Sequence, residues 1–238
     1  MRIVQETDNL FRLTRFGMIN CFLVREADGF TLVDTGLRGS AGAILHAATR
    51  LGASIRRIAL THAHIDHIGS LDSLMAALPT IELAIGKREA RLLVKDLSLD
   101  AGENGKTLLG FTGALAWPSR LLVEGERVSS LQAVASPGHT PGHTAYLDVR
   151  DNALIAGDAF TTQTGVVVAG VFKPLFPFPA LFSWNAALSA KSAAKLRGLN
   201  PSILAVGHGP TKSSPAREID VALEEAFRQH PEARRKAE

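Results

Sequence analysis

Residues 61–69, THAHIDHIG, hold three of the chain's eight histidines and one aspartate within six positions. The apolar run IRRIAL at 55–60 precedes them directly and is expected to form a buried strand. A strand that ends in a loop can direct several consecutive side chains toward one point, and neutral imidazole is a common ligand for divalent metals. Packing gives no reason to gather so many titratable groups at one strand end, so this stretch predicts a metal site.

Three later runs repeat a pattern in which an apolar strand is followed by glycine and then by a metal-ligand residue. They are AVASPGHTPGH at 133–143, ALIAGDA at 153–159 and ILAVGHG at 203–209, and they contribute His139, Asp158 and His208. Glycine lets the backbone approach a site closely. The repetition predicts that several strand ends converge on one centre.

Strand and helix signals alternate along the chain. Asp28-Gly29 marks a hairpin between two strands, residues 40–52 and 67–78 are typical of helices, and residues 98–118 show no clear period. Four short β-like runs then lie between 120 and 158. A helix is expected to start at Ser183, which would cap it, and a last helix near Pro215. No linker divides the chain, so residues 1–238 are expected to form a single α/β domain.

Composition excludes several classes of function. A net charge of +3 and the lack of a basic tract disfavour nucleic-acid binding, and the basic tail at 230–238 is expected to lie in solvent. The longest apolar stretch, at about 165–184, contains one lysine and three prolines, so no membrane segment is expected. Residues 1–13 lack the apolar centre of a secretory signal and Cys21 has no internal partner, which predicts a cytoplasmic protein.

Together with LVDTG at 32–36, the motifs THAHIDHIG, PGHTPGH, GDA and GHG occur in an order that resembles the metallo-β-lactamase-fold hydrolases. The resemblance covers about residues 15–210, and the H-x-H-x-D-H core is its most specific part. It implies an αββα sandwich, in which two mixed β-sheets pack face to face and helices flank them. It also implies a site for two divalent metal ions along one edge.

The resemblance assigns the ligands motif by motif. One metal would be held by His62, His64 and His139, and the other by Asp66, His67 and His208, while Asp158 would bridge both. Asp34 would orient a metal-bound histidine through a hydrogen bond. His143 is not a ligand in the family and is expected to support a ligand or to lie at the rim of the site. Zinc is the expected metal, although Mn, Fe or Co suit the same donors.

The implied activity is that of a dinuclear metal-dependent hydrolase acting on carbonyl esters, lactones or thioesters. A metal-bridging hydroxide would be the nucleophile, and Asp66 would serve catalysis by relaying a proton to the leaving group. A bridging aspartate argues against a true β-lactamase, and the single tyrosine, Tyr146, matches no lactonase position. An iron-dependent persulfide dioxygenase and a nucleic-acid phosphodiesterase stay open as alternatives, and a metal-stabilised binding protein is disfavoured.

The segment after Asp158 concentrates aromatic side chains in a stretch that prolines interrupt. Such a segment cannot be a regular core element throughout, so its rings are expected to line the mouth of the site or a contact in a homodimer. Both interpretations are open from the sequence. The first favours a small-molecule substrate with an apolar group. The rings are Phe172, Phe176, Phe178, Phe182 and Trp184.

Overall fold

The structure is a computed structural model that describes residues 1–234, and the last four residues of the basic tail lie outside the described residues. Its first β-sheet has seven strands in the order of the chain. Strands β1 to β4 are antiparallel neighbours, and β4 to β7 are parallel. The strands are β1 (Arg2–Gln5), β2 (Leu10–Arg15), β3 (Ile19–Glu26), β4 (Gly29–Val33), β5 (Ile55–Leu60), β6 (Glu82–Gly86) and β7 (Arg120–Leu122).

A second sheet has six strands, and its order is β15-β14-β11-β10-β9-β8. Only β11 and β14 pair in parallel. Two very short strands form a separate hairpin beside it. The strands are β8 (Arg127–Val128), β9 (Leu131–Ala135), β10 (Thr144–Asp148), β11 (Ala153–Ile155), β12 (Phe160–Thr161), β13 (Val167–Val168), β14 (Ile203–Ala205) and β15 (Lys212–Ser213).

Helices cover the outer faces of both sheets. Among residues 1–234, none of them is long and apolar enough to cross a membrane. The helices are α1 (Ala41–Arg50), α2 (Ile65–Ile68), α3 (Leu71–Ala77), α4 (Glu89–Leu93), α5 (Phe178–Phe182), α6 (Ala186–Gly198), α7 (Ala216–Gln229) and a 3-10 turn at Pro231–Arg234.

The core consists of three apolar layers. Side chains alternate along a strand, so in β5 Ile58 and Leu60 pack toward the helices α1, α3 and α4, while Ala59 faces the other sheet. The layer between the sheets joins Phe22 of β3 to Tyr146 of β10. A third layer lies between the second sheet and helices α6 and α7. This arrangement confirms the αββα sandwich.

The hairpin at Asp28-Gly29 has the expected form, since Glu26 pairs with Gly29 across β3 and β4. Two other local predictions need correction. The helix expected at 67–78 is divided into α2 and α3. The helix expected from Ser183 begins at Ala186, because the side chain of Asn185 accepts a hydrogen bond from Leu188 N and caps it.

Candidate metal centre

The seven predicted metal-ligand side chains meet at one edge of the sandwich, where strands of both sheets end. The loop after β5 and the short helix α2 supply four of them, and the loops after β9, β11 and β14 supply one each. Their donor atoms form three overlapping groups, in each of which the atoms lie within 4.8 Å of one another. These groups are His62/His64/His139, His62/His67/Asp158 and Asp66/His67/His208.

The first group consists of three buried imidazoles. His64 Nδ1 lies 3.1 Å from His62 Nε2 and 3.0 Å from His139 Nε2. At these distances an atom at the centre of the group would be in direct contact with all three nitrogens. One small cation therefore fits between them.

The second group combines carboxylates with imidazoles. His208 Nε2 lies 3.2 Å from Asp66 Oδ2 and 3.1 Å from Asp158 Oδ2. Asp158 also approaches His67 Nε2 at 3.3 Å and His139 Nε2 at 3.5 Å. The Asp158 carboxylate thus connects the two groups.

A carboxylate behind the site fixes the tautomers of two of these histidines. Asp34 Oδ2 accepts hydrogen bonds from Thr61 Oγ1 at 2.7 Å and from His67 Nδ1 at 2.8 Å. Since the Thr61 hydroxyl proton points to Asp34, the hydroxyl oxygen accepts from His62 Nδ1 at 3.0 Å. In the neutral rings both Nε2 atoms therefore carry the lone pair, which faces the site. Asp34 is buried and has a positive φ of 60°, so the chain turns sharply to place it there.

The hydroxyl group of Ser183 fixes the tautomer of His139. Its hydroxyl donates to the carbonyl oxygen of Pro179, so its oxygen accepts from His139 Nδ1 at 3.2 Å. His139 Nε2 then faces the site without a proton. Ser183 therefore supports a candidate metal ligand, although the sequence pattern indicated a helix cap.

His143 supports Asp158. It is fully buried, its Nε2 accepts a hydrogen bond from the backbone N–H of Asp158 at 3.1 Å, and its Nδ1 lies 2.8 Å from Ser136 Oγ. His143 therefore holds the loop after β11 in position and lies beneath the site. Its ring does not reach the rim.

Two observations show that the residues fit divalent metal ions. The fixed tautomers of His62 and His139 direct two Nε2 lone pairs at His64 Nδ1 over about 3 Å, and one proton on His64 can satisfy only one of them, so a cation between the three nitrogens would be favourable. In addition, His67 Nε2 and Asp158 Oδ1 are buried without a hydrogen-bond partner, which is costly for polar atoms. A cation would satisfy both atoms.

The electrostatics differ between the two groups. Burial and the neighbouring His64 hold the pKa of His139 well below its usual range, and burial lowers the pKa of His64 to about 4. In the second group burial acts in the same direction, but Asp158 and Asp66 together outweigh it and raise the pKa of His208 to about 10. The pKa of Asp158 is held well below its usual range by His208 and His67, against the effect of burial. The three-histidine group is thus neutral, whereas in the second group two carboxylates raise the pKa of His67 and His208, so that carboxylates and protonated imidazoles balance each other in the metal-free protein.

Glu89 is a residue that the sequence analysis missed. Its carboxylate is fully buried at the start of α4 and accepts hydrogen bonds from Ala63 N at 2.8 Å, Thr140 Oγ1 at 2.7 Å and Gly142 N at 3.1 Å. It therefore connects the loop that carries His62 and His64 to the loop that carries His139. A glutamate in the ordinary helical sequence KREARLLV gives no signal of this contact.

The site opens into a cavity of about 270 Å³. Every wall residue outside the ligand set is apolar or glycine: Met18, Ile19, Ile65, Gly110, Phe176, Phe178, Pro179 and Phe182. Of the five rings expected at the rim, Phe172 and Trp184 lie elsewhere. Phe172 is exposed near the end of α7, and Trp184 is buried against Gly105. Tyr146 lies in the core, where its hydroxyl donates to the Leu60 carbonyl.

The family model described as the metallo-beta-lactamase superfamily matches residues 14–208. The chain belongs to this superfamily. Its motif order, its αββα sandwich and its His/Asp cluster are the features shared with metallo-hydrolases of the metallo-beta-lactamase superfamily. The fold and the cluster together indicate a dinuclear metal site.

Two similar proteins of Bacillus subtilis cover most of the chain, and a third similar protein covers about half of it. It is 42% identical over 231 residues to the uncharacterized protein YobT of Bacillus subtilis, which covers 95% of this chain and 99% of the relative. It is 30% identical over 206 residues to YflN of the same organism, named a probable metallo-hydrolase, with 79% of this chain and 78% of the relative covered. A hydroxyacylglutathione hydrolase of Rhodospirillum rubrum is 34% identical over 53% of this chain and 43% of its own length.

Solved structures of the superfamily share the fold. The class B3 di-zinc metallo-beta-lactamase LRA-12 from an Alaskan soil metagenome superimposes with a TM-score of 0.69 over 98% of this chain and 94% of that chain. The two sequences are 18% identical. The likeness therefore concerns the arrangement of the sandwich alone.

Proposed function

We propose that this protein is a dinuclear metal-dependent hydrolase of small-molecule carbonyl esters, lactones or thioesters. The observation that carries the proposal is the arrangement of seven donor side chains in two groups that Asp158 connects, at the base of an apolar cavity. Two ions bound side by side form one of the established arrangements for metal-assisted hydrolysis.

The ligands divide between two ions as the superfamily motifs suggest. His62, His64 and His139 would hold one ion, Asp66, His67 and His208 the other, and Asp158 both. When bound, such ions lower the pKa of a shared water and polarise the carbonyl that it attacks. Zinc is the first choice because neutral imidazole and carboxylate suit it, and Mn, Fe or Co suit the same donors.

Asp66 is the group of the site that can move a proton. Its side chain is 26% exposed, more than that of the neighbouring ligands Asp158 and His208, and it lines the cavity. His67 and His208 hold the pKa of its carboxyl well below its usual range, against the effect of burial. It is therefore a carboxylate at neutral pH, and its exposure to the cavity places it where it would relay a proton to a leaving group.

The cavity suits a substrate with an apolar group. Three of the expected rings, Phe176, Phe178 and Phe182, form part of its wall, and Phe176 lies 6.1 Å from the ring of His208. The rings of Phe178 and Phe182 are 52% and 38% exposed. They therefore leave apolar surface free for an acyl or aromatic group, or for a second copy of the chain in a homodimer.

Metal analysis combined with a substrate panel tests the proposed function. Protein purified without added metal or chelator should contain about two equivalents of Zn, Mn, Fe or Co per chain and should hydrolyse lactones, aryl esters or thioesters. The variants His64→Ala and Asp158→Ala should lose both metal and activity. His46→Ala, which changes an exposed histidine on α1, is the matched control and should keep both.

Other results would name a different reaction. A single iron with oxygen uptake on a glutathione persulfide, and no hydrolysis, would indicate a persulfide dioxygenase. Cleavage of a phosphodiester with binding that weakens steeply in salt would indicate a nucleic-acid phosphodiesterase. Either result would contradict the proposed function.

A further inference from the structure

We propose that the cavity selects acyl substrates whose apolar group is uncharged, and that it discriminates against substrates with a carboxylate on that group. This inference rests on the proposed function and specifies its substrate class. It depends on where the aromatic and the charged side chains of the cavity wall lie relative to the metal ligands.

The aromatic rings form an arc from one ligand group to the other. Phe176 lies against His208, Phe178 lies 5.3 Å from Phe176 in an edge contact, and Phe182 lies 6.4 Å from Phe178. The arc ends where Phe182 lies 6.3 Å from His64. A substrate whose carbonyl is at the ligands therefore extends its acyl group along these rings.

All charged groups in the wall belong to the ligand set. Asp66 and Asp158 are both carboxylates, and the other lining residues, which include Met18 and Ile65, are apolar or glycine. A carboxylate on the substrate's acyl group would lose water against apolar surface without gaining a hydrogen bond there. An uncharged chain of the same length loses nothing of this kind and gains contact with the rings.

A matched pair of esters tests the selectivity. p-Nitrophenyl octanoate and the p-nitrophenyl monoester of octanedioic acid have the same chain length and the same leaving group, and they differ in the terminal carboxylate. The metal-loaded enzyme should have a kcat/KM that is about tenfold or more higher for the octanoate, as expected when a charge must be buried without a partner. Equal values for the two esters would overturn the inference and leave the proposed function intact.

Two lysine substitutions locate the selectivity. Phe178→Lys places a cation on the arc, and it should shift the kcat/KM ratio about tenfold toward the carboxylate ester. Phe172→Lys is the matched control, because Phe172 is 54% exposed, close to the 52% of Phe178, but lies outside the cavity wall. An equal shift in both variants would show that general charge attraction causes the effect, and the assignment to the arc would be wrong.

Binding without turnover separates this inference from the proposed function. Calorimetry with octanamide and with the monoamide of octanedioic acid makes the same comparison on compounds that are not hydrolysed. Tighter binding of octanamide supports the selectivity even if no ester is cleaved, in which case the proposed function alone fails. Tighter binding of the carboxylate compound contradicts the selectivity.

A different observation carries a second inference: we infer that Glu89 is a positioning residue for the three-histidine group. One buried carboxylate receives three hydrogen bonds, and their donors belong to the two loops that supply this group. The fit is close, since a side chain at Gly142 would come within 2.2 Å of Glu89 N. The spacing between His64 and His139 therefore depends on Glu89, which does not itself reach the cavity.

Glutamine cannot replace this carboxylate. Each carboxylate oxygen accepts at least one hydrogen bond, whereas the glutamine amide has one oxygen, and its NH₂ group would face another donor. With the metal site proposed above, Glu89→Gln should lower the binding affinity for one of two zinc ions by about tenfold or more, as measured by a competition titration against a chromophoric chelator. The other zinc ion should change little.

Control variants keep this test decisive. Glu26→Gln changes another buried glutamate, which accepts a hydrogen bond from Ser130 Oγ far from the site, and it should leave both zinc affinities unchanged. Thr140→Val removes only one of the three donors and is the substitute variant if Glu89→Gln does not fold. It should lower the affinity for the same zinc ion by a smaller factor. Unchanged zinc affinities together with a lower unfolding midpoint would show a purely structural role and overturn the inference.

Discussion

His67 Nδ1 lies 2.8 Å from the carboxylate oxygen Oδ2 of Asp34, and both side chains are buried. The same oxygen accepts from Thr61 Oγ1, and Oδ1 accepts from Thr61 N at 2.8 Å. One carboxylate thus holds the strand end after β5 and, through His67, a residue of α2. It also sets which nitrogen of His62 and His67 faces the site.

Asp34→Asn should weaken zinc binding about 10- to 100-fold, as is typical when a group that orients a ligand histidine is lost. The amide keeps one acceptor oxygen, so either the contact with Thr61 N or the pair of contacts at Oδ2 is lost. Competition with a chromophoric chelator measures the effect. Asp148→Asn, at a buried carboxylate that pairs with Arg150 away from the site, should leave zinc binding unchanged. Equal zinc affinity in Asp34→Asn and the wild type would contradict the orienting role.

His143→Ala should lower the free energy of unfolding of the metal-free protein by about 2 kcal/mol, because the backbone N–H of Asp158 loses its acceptor inside the protein. Urea unfolding measures this change. His46→Ala removes an exposed imidazole and should change the stability by less than about 0.5 kcal/mol. If both variants had the same free energy of unfolding, the contact between His143 and Asp158 would not contribute to stability.

Gly207→Ala should disrupt the second ligand group. A Cβ at this position would lie 2.2 Å from Asp158 Oδ1 and 2.6 Å from His67 Cε1, so one of these side chains must move. The purified variant should bind about one equivalent of zinc where the wild type binds about two. Gly198→Ala is the control, because a Cβ there meets no atom within 4 Å, and it should bind zinc as the wild type does. Two equivalents in Gly207→Ala would contradict the proposed ligand set.

Glu89 should make the stability of the metal-free protein depend on pH. Burial raises the pKa of its carboxyl from 4.5 to about 7, against the hydrogen bonds from Thr140, Ala63 and Gly142 and the nearby guanidinium of Arg88. A carboxyl whose pKa is raised by folding contributes stability below pH 4.5, and this contribution is lost as the pH rises to about 7. The wild type should lose about 3 kcal/mol over this window relative to Glu89→Gln.

Urea unfolding at pH 4.5, 6 and 8 measures that difference. Glu26→Gln should follow the wild type across the same window. If the difference between the wild type and Glu89→Gln did not change with pH, the Glu89 carboxyl would titrate in its ordinary range.

Much of the site was predictable because the ligands follow directly on apolar strands. THAHIDHIG continues β5, and Asp158 and His208 each follow a Gly that lies two residues after the end of β11 or β14. The apolar strand pattern and the glycine after it therefore predicted where each ligand lies as well as the local secondary structure. The aromatic segment was less predictable, since Phe178 and Phe172 look alike in sequence and only one reaches the cavity.

The supporting residues could not be found in the same way. Glu89 lies on a helix of ordinary composition, and Ser183 fits the pattern of a helix cap. Ser183 contacts His139, which lies 44 positions away in the chain, and Glu89 contacts Ala63, which lies 26 positions away. Local patterns do not report contacts of that range.

The sequence by itself determined the types of ligand, their order and the strand ends that carry them, because these properties follow from local periodicity and from motif spacing. Only the tertiary structure decided which imidazole nitrogen faces the site, which side chains support the ligands and which rings line the cavity. Those properties depend on hydrogen bonds and packing between the two sheets, where residues distant in the chain, such as Asp34 and His67 or His143 and Asp158, come into contact.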